Sequence, residues 1–107
     1  MKKEKNEHSL TRAMATVLSG KTGSEVFELL SAVLTPKELE FVEKRLRIAY
    51  LLEQKQSYTV IQKELVVSAA TIASVSEQMQ QAAFQTLLQA VKKEVSRFQW
   101  LKKWISR

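Results

Sequence analysis

Residues 57–79 read SYTVIQKELVVSAATIASVSEQM. Two short helices with a tight break between them are written into this stretch. Ser57 can cap a helix running to about Leu65, because its hydroxyl can accept from an orphan N–H of the first turn. Val66 and Val67 mark the break, and Ser68 caps a second helix. Ile61 and Leu65 on the first helix, with Ile72, Val75 and Met79 on the second, fall at helical spacing and predict an apolar lock. Ala69, Ala70, Ala73, Ser74 and Ser76 are small, so another face of the second helix can approach a surface closely. A helix, a short turn and a capped second helix form the helix-turn-helix plan.

The remainder of the 107 residues surrounds this pair with more helix. Gly20, Gly23 and Pro36 are the only Gly and Pro, Asp is absent, and Asn6 is the only Asn. Sheet folds of this size need turns, and turns lean on those residue types. The composition therefore predicts an all-α fold and excludes glycine-dependent phosphate loops and dinucleotide fingerprints. Residues 1–8 read as a flexible polar tail, and 9–107 as a single all-helical domain, the default count for this length. Ser9 is the expected cap of a first helix bearing Leu10, Met14, Val17 and Leu18. Gly20 suits the positive-φ position after it. Ser24 is the expected cap of a second, bearing Val26, Leu29, Leu30 and Val33. Thr35-Pro36-Lys37-Glu38 combines a cap, a proline at the first helical position and a capping box. It opens a third helix to about Gln54, with Leu39, Val42, Leu46, Ala49 and Tyr50 on one face. A long C-terminal helix from about Gln80 to Ser106 carries Phe84, Leu87, Leu88, Val91, Val95, Phe98, Leu101 and Ile105. That near-heptad stripe exceeds what a small core can cover and predicts packing on a second chain.

Several chemistries are excluded. There is no Cys and one His, His8, so disulfides, thiolate metal sites, a Ser-His-Asp triad and a two-histidine zinc site cannot be assembled. No catalytic residue, metal or cofactor is expected. No run reaches the ~18 apolar residues of a membrane span, and no apolar segment of a secretory signal follows the charged start. A cytoplasmic protein is expected, with a membrane an unexpected partner.

The net charge of +6 is unevenly spread. Residues 1–56 carry +2, residues 57–80 carry −1, and residues 81–107 carry +5. A polyanion partner is one reading of the basic end, solubility the other. Trp100 and Trp104 sit among Lys92, Lys93, Arg97, Lys102, Lys103 and Arg107. Cover for a dimer core, phosphate contact and an anionic membrane surface are three readings of that helix end. Arg45 and Arg47 are either phosphate or ligand contacts, or partners of Glu40 and Glu43.

From Leu34 to Met79 the chain resembles the Trp repressor superfamily. Leu34-Thr35-Pro36-Lys37-Glu38 matches its Leu-Thr-Pro-x-Glu helix start. Lys44-Arg45-Leu46-Arg47-Ile48-Ala49 is similar to its Arg-x-Arg-Ile segment. Glu64-Leu65 followed by Ala70-Thr71-Ile72 matches its turn and recognition helix. The helix lengths between these pieces are closest to the Trp-repressor-like branch. The resemblance implies a multi-helix, intertwined homodimer that binds double-stranded operator DNA. By position it implies Thr59, Gln62, Ser68, Ala69, Ala70 and Ala73 at the major groove, and Arg45 at the place of a corepressor-stacking arginine. Arg45, Arg47 and Lys55 are the expected cationic contacts of this part of the chain. The family's second corepressor arginine is Ser74 here, its small neighbour is Val75, and its turn glycine is Val66. Tryptophan is thus not the expected effector. The leading functional expectation is a sequence-specific transcriptional regulator. The alternative is a helical protein-interaction module that keeps the fold without reading an operator, because Ser68 to Met79 contains no Lys or Arg.

Overall fold

Residues 7–97 are described by a computed structural model. Among them the regular structure is entirely helical: α1 (Ser9–Leu18), α2 (Gly23–Val33), α3 (Pro36–Glu53), α4 (Tyr58–Leu65), α5 (Ala69–Gln78) and α6 (Ala82–Ser96). The all-α class predicted from the scarcity of turn residues is the one adopted. None of these helices is long and apolar enough to cross a membrane. The chain divides into two compact units, Met1–Leu39 and Glu40–Arg107.

In the first unit, two helix starts differ from expectation. Ser9 does not cap α1. His8 holds the N-cap position at φ 66 without a side-chain cap bond, and Ser9 is already helical. That end is exposed, so water can serve its orphan donors. Ser24 does not cap α2 either, because Thr22 closes a capping box two residues earlier. The Glu25 N–H donates to Thr22 Oγ1 at 3.2 Å, and the Thr22 N–H donates to Glu25 Oε1 at 3.0 Å. The reciprocal pair satisfies two backbone donors where a lone serine would satisfy one. The same device opens α3: Glu38 N–H to Thr35 Oγ1 at 3.1 Å and Thr35 N–H to Glu38 Oε1 at 2.8 Å. Gly20 takes the expected left-handed backbone at φ 84. Neither α1 nor α2 has a buried residue. Leu10 is 85% exposed, Phe27 65% and Val33 68%.

The second unit holds the core. Ile48, Ala49 and Leu51 of α3 pack with Ile61 of α4, Ile72 and Val75 of α5, Met79 and Leu88 of α6. The single inward face predicted for α3 is only partly right. Ala49 is buried and Leu46 and Tyr50 are half-buried, but Val42 is exposed, while Ile48 is fully enclosed and Leu51 is buried. The reason is that α3 is covered from two directions. Ile48 shares a groove with α5 and the turn before it, whereas Leu46 and Tyr50 share a cavity with α6.

The last helix starts later than expected. Gln80 and Gln81 form a turn, their N–H groups donating to the Glu77 and Gln78 carbonyls at 3.2 and 3.1 Å. Gln81 then becomes the N-cap of α6. The helix ends at Ser96, with Arg97 as its C-cap. Phe98, Trp100, Leu101, Trp104 and Ile105 lie outside the described residues. Part of the apolar stripe serves the chain's own core: Leu88 is 1% exposed, while its neighbour Leu87 stays 55% exposed.

One polar bridge ties α6 to the end of α3. Lys92 Nζ donates to Glu53 Oε1 at 2.6 Å, and Gln89 Nε2 donates to Glu53 Oε2 at 2.8 Å. The Lys92 hydrogen bond holds the Glu53 carboxyl below its ordinary value, against a partial burial that raises it. A depressed carboxyl contributes stability above its unfolded value, and that contribution is lost as the pH falls through the lower folded value. Glu53→Gln is therefore expected to cost about 1 kcal/mol at pH 7. The difference from the parent should vanish in strongly acidic buffer. Urea unfolding at the two pH values measures it.

Candidate nucleic-acid interface

The helix pair is built by local capping. Ser57 Oγ accepts from the Val60 N–H at 3.2 Å and starts α4. After Leu65 the chain turns at Val66, whose φ of 52 and ψ of 59 are left-handed. Its N–H closes the helix end on the Gln62 carbonyl at 2.9 Å. Ser68 is extended and caps α5, accepting from the Thr71 N–H at 3.1 Å. Its Oγ also lies 3.0 Å from Thr71 Oγ1. The predicted lock is present: Ile61 and Ile72 are 0% exposed and Val75 is 2% exposed. Leu65 is half-buried beside them.

A valine at Val66 is costly, because a β-branched side chain crowds its own backbone at positive φ. Its side chain is 83% exposed and gains little burial in return. Val66→Gly should raise stability by about 1 kcal/mol, the relief of strain exceeding the added freedom of the unfolded chain. Thermal melting should move up by about 4 °C or more.

The buried positions of α5 fix what faces outward. At 100° per residue, Ala70, Ala73 and Ser74 face away from Ile72, Val75 and Met79 and Ala69 lies at the flank of that surface, and all four are exposed. Thr59 and Gln62 are exposed on α4. Lys55 is exposed in the turn after α3, at φ 67.

Between α3 and the helix pair runs an open groove of about 540 Å³. Phe41, Lys44, Arg45 and Ile48 line one side, and Ser68 and Ser74 are on the other. The two arginines part company here. Arg47 Nε donates to Glu43 Oε2 at 2.8 Å. Arg47 lines a different cavity, of about 210 Å³, with Tyr50, Leu88 and Lys92. Arg45 has no ion pair among the described residues. Glu40, the acid expected near it, pairs with Lys44 at 3.5 Å. The structure thus brings Arg45, Ser68 and Ala70 together on one groove, with Ala69 and Ala73 beside them on α5. Arg47 stands apart from them.

Phe41, Lys44, Thr71 and Ser74 also line the groove and were not singled out by the sequence reading as contacts. The signal was available for two of them. Phe41, Lys44, Arg45 and Ile48 follow the i, i+3, i+4, i+7 spacing of one helix face. Lys92, one of the basic residues of the C-terminal segment, is engaged by Glu53. Ser74 and Val75, an exposed hydroxyl and a buried aliphatic side chain, both line the groove.

No curated protein and no solved structure matches the chain. The family described as Trp repressor protein matches residues 8–94, from the start of α1 nearly to the end of α6. The chain belongs to the Trp repressor protein family.

Proposed function

We propose that the protein is a cytoplasmic, homodimeric transcriptional regulator that binds double-stranded DNA sequence-specifically through α4 and α5 and does not respond to tryptophan. The observation that carries this reading is the outward surface of α5. It is smooth, exposed and held by a capped helix start on a rigid apolar lock. Such a surface can enter a major groove, and two copies can meet two half-sites one helical turn apart. Thr59, Gln62, Ser68, Ala69, Ala70 and Ala73 are the proposed groove-facing residues. Arg45, Lys55 and the basic residues beyond Lys92 are the proposed phosphate contacts, with Arg47 a weaker candidate because Glu43 already holds it.

The homodimer is supported by apolar side chains that one copy leaves in water, notably Leu10, Phe27 and Val33. The test is binding to a random duplex pool at low and high salt. Sequence enrichment, with an affinity falling at about −0.9 in log K per log salt for each neutralised phosphate, supports the reading. A salt-independent failure to bind any duplex favours the interaction module instead. The feature on that side is a chain without Lys or Arg from Glu64 to Val91.

Tryptophan should give no micromolar heat of binding in calorimetry. Ser74 supplies neither a second guanidinium nor its charge, and the buried Val75 fills the adjacent space. A stoichiometric isotherm would refute this.

A further inference from the structure

The outward surface of α5 is mostly methyl groups and holds no cation. Lys63 is the last cation before Lys92 in the sequence, so α5 has no ammonium or guanidinium to extend. Its first hydroxyls are spent on each other and on the backbone, with Ser68 Oγ 3.0 Å from Thr71 Oγ1 and accepting from the Thr71 N–H at 3.1 Å. What remains to face a partner is the methyl groups of Ala69, Ala70 and Ala73 and the single hydroxyl of Ser74, all exposed. Gln62 adds one exposed carboxamide on α4.

In the major groove guanine is read by Arg or Lys on O6 and N7, adenine by Asn or Gln on N6 and N7, and thymine by apolar contact with its 5-methyl group. The first of these is closed to α5. The second is open to Gln62, and the third to the alanines. Alanine side chains are short, so the contact requires the α5 backbone to lie close to the base edges. The bare surface between Ala69 and Ala73 permits that. The site itself is the helix-turn-helix of the matched family; the alanine face bears on what that site selects.

Resting on the DNA-binding reading above, we infer that this protein selects A·T pairs, chiefly through thymine 5-methyl groups held against Ala69, Ala70 and Ala73. Guanine contributes little to the choice. Selectivity comes from packing and shape at the groove floor, while attraction comes from cations outside α5.

The experiment uses the full chain and chemically altered DNA, so no variant has to fold. Half-sites enriched from a random duplex pool are resynthesised with uracil in place of thymine, one position at a time. Each methyl removed from a contacted thymine should weaken binding about fourfold. Uracil outside the half-site should change nothing, and the salt slope should stay constant throughout. Equal affinity for thymine and uracil half-sites overturns the inference while leaving DNA binding in place. So does a selected site dominated by guanine. Binding to no duplex at all overturns both this inference and the functional reading beneath it.

Discussion

Ala73→Glu should abolish discrimination between an enriched half-site and random duplex, lowering specific affinity at least about a hundredfold. Three effects add at this position. The longer side chain holds α5 away from the base edges. Its carboxylate meets the negative potential of the groove with no cation on α5 to offset it. It also removes an apolar surface that can pack on a base methyl. Loss of one or two good base contacts, at about 1–3 kcal/mol each, corresponds to this loss of affinity. The fold should not suffer, because Ala73 is exposed and Glu is a good helix former. Circular dichroism melting should therefore agree with the parent within about 0.5 kcal/mol. Titration of labelled specific and random duplexes checks the first outcome. Retained discrimination would place the recognition surface elsewhere.

The second large effect concerns association. Leu10→Glu with Phe27→Glu should convert the proposed dimer to a monomer at micromolar concentration. Leu10 is 85% exposed and Phe27 65% exposed in one copy, so the isolated chain loses little by their replacement. A dimer interface covering them would lose much more. Each large apolar side chain contributes about 1.5–3 kcal/mol on full burial, and twofold symmetry makes each substitution count twice. Even partial burial then raises the dissociation constant by about a thousandfold or more. A glutamate in the first turn of α1 also suits its positive end, which holds no acid at present. Sedimentation should shift from twice the 12.3 kDa chain mass to the chain mass itself. A parent that already sediments as one chain would refute the dimer.

Local signals were the legible part of the sequence. Ser57, Ser68 and the Thr35–Glu38 box act over three residues, and each caps the helix it was expected to cap. The lock of Ile61 against Ile72 and Val75 was likewise written in helical spacing. Misplaced features had a competitor or a distant partner. Ser24 lost its cap to a threonine two residues earlier that could close a reciprocal pair. The inward face of α3 was mixed because separate elements cover it from two directions, which one periodicity cannot encode. Lys92 reads as a free basic residue until Glu53, 39 positions away, is placed beside it. Arg47 follows Glu43 by four residues, a pairing readable from helical spacing, whereas Arg45 follows Glu40 by five. Only the packing of α3 puts Arg45 on the groove.

The reach of the Glu53 bridge also bears on the order of events in folding. Capping boxes and the α4–α5 lock join near neighbours and can form early, since little loop entropy opposes them. The bonds from Gln89 and Lys92 to Glu53 span 36 and 39 positions and need α6 already docked. They are expected to form after the rate-limiting barrier, so that Glu53→Gln speeds unfolding and leaves refolding unchanged in stopped-flow measurements. An interaction absent at the barrier leaves the refolding rate alone and slows unfolding. On that expectation the bridge is a brake on opening, prolonging the lifetime of the folded unit more than it hastens its formation.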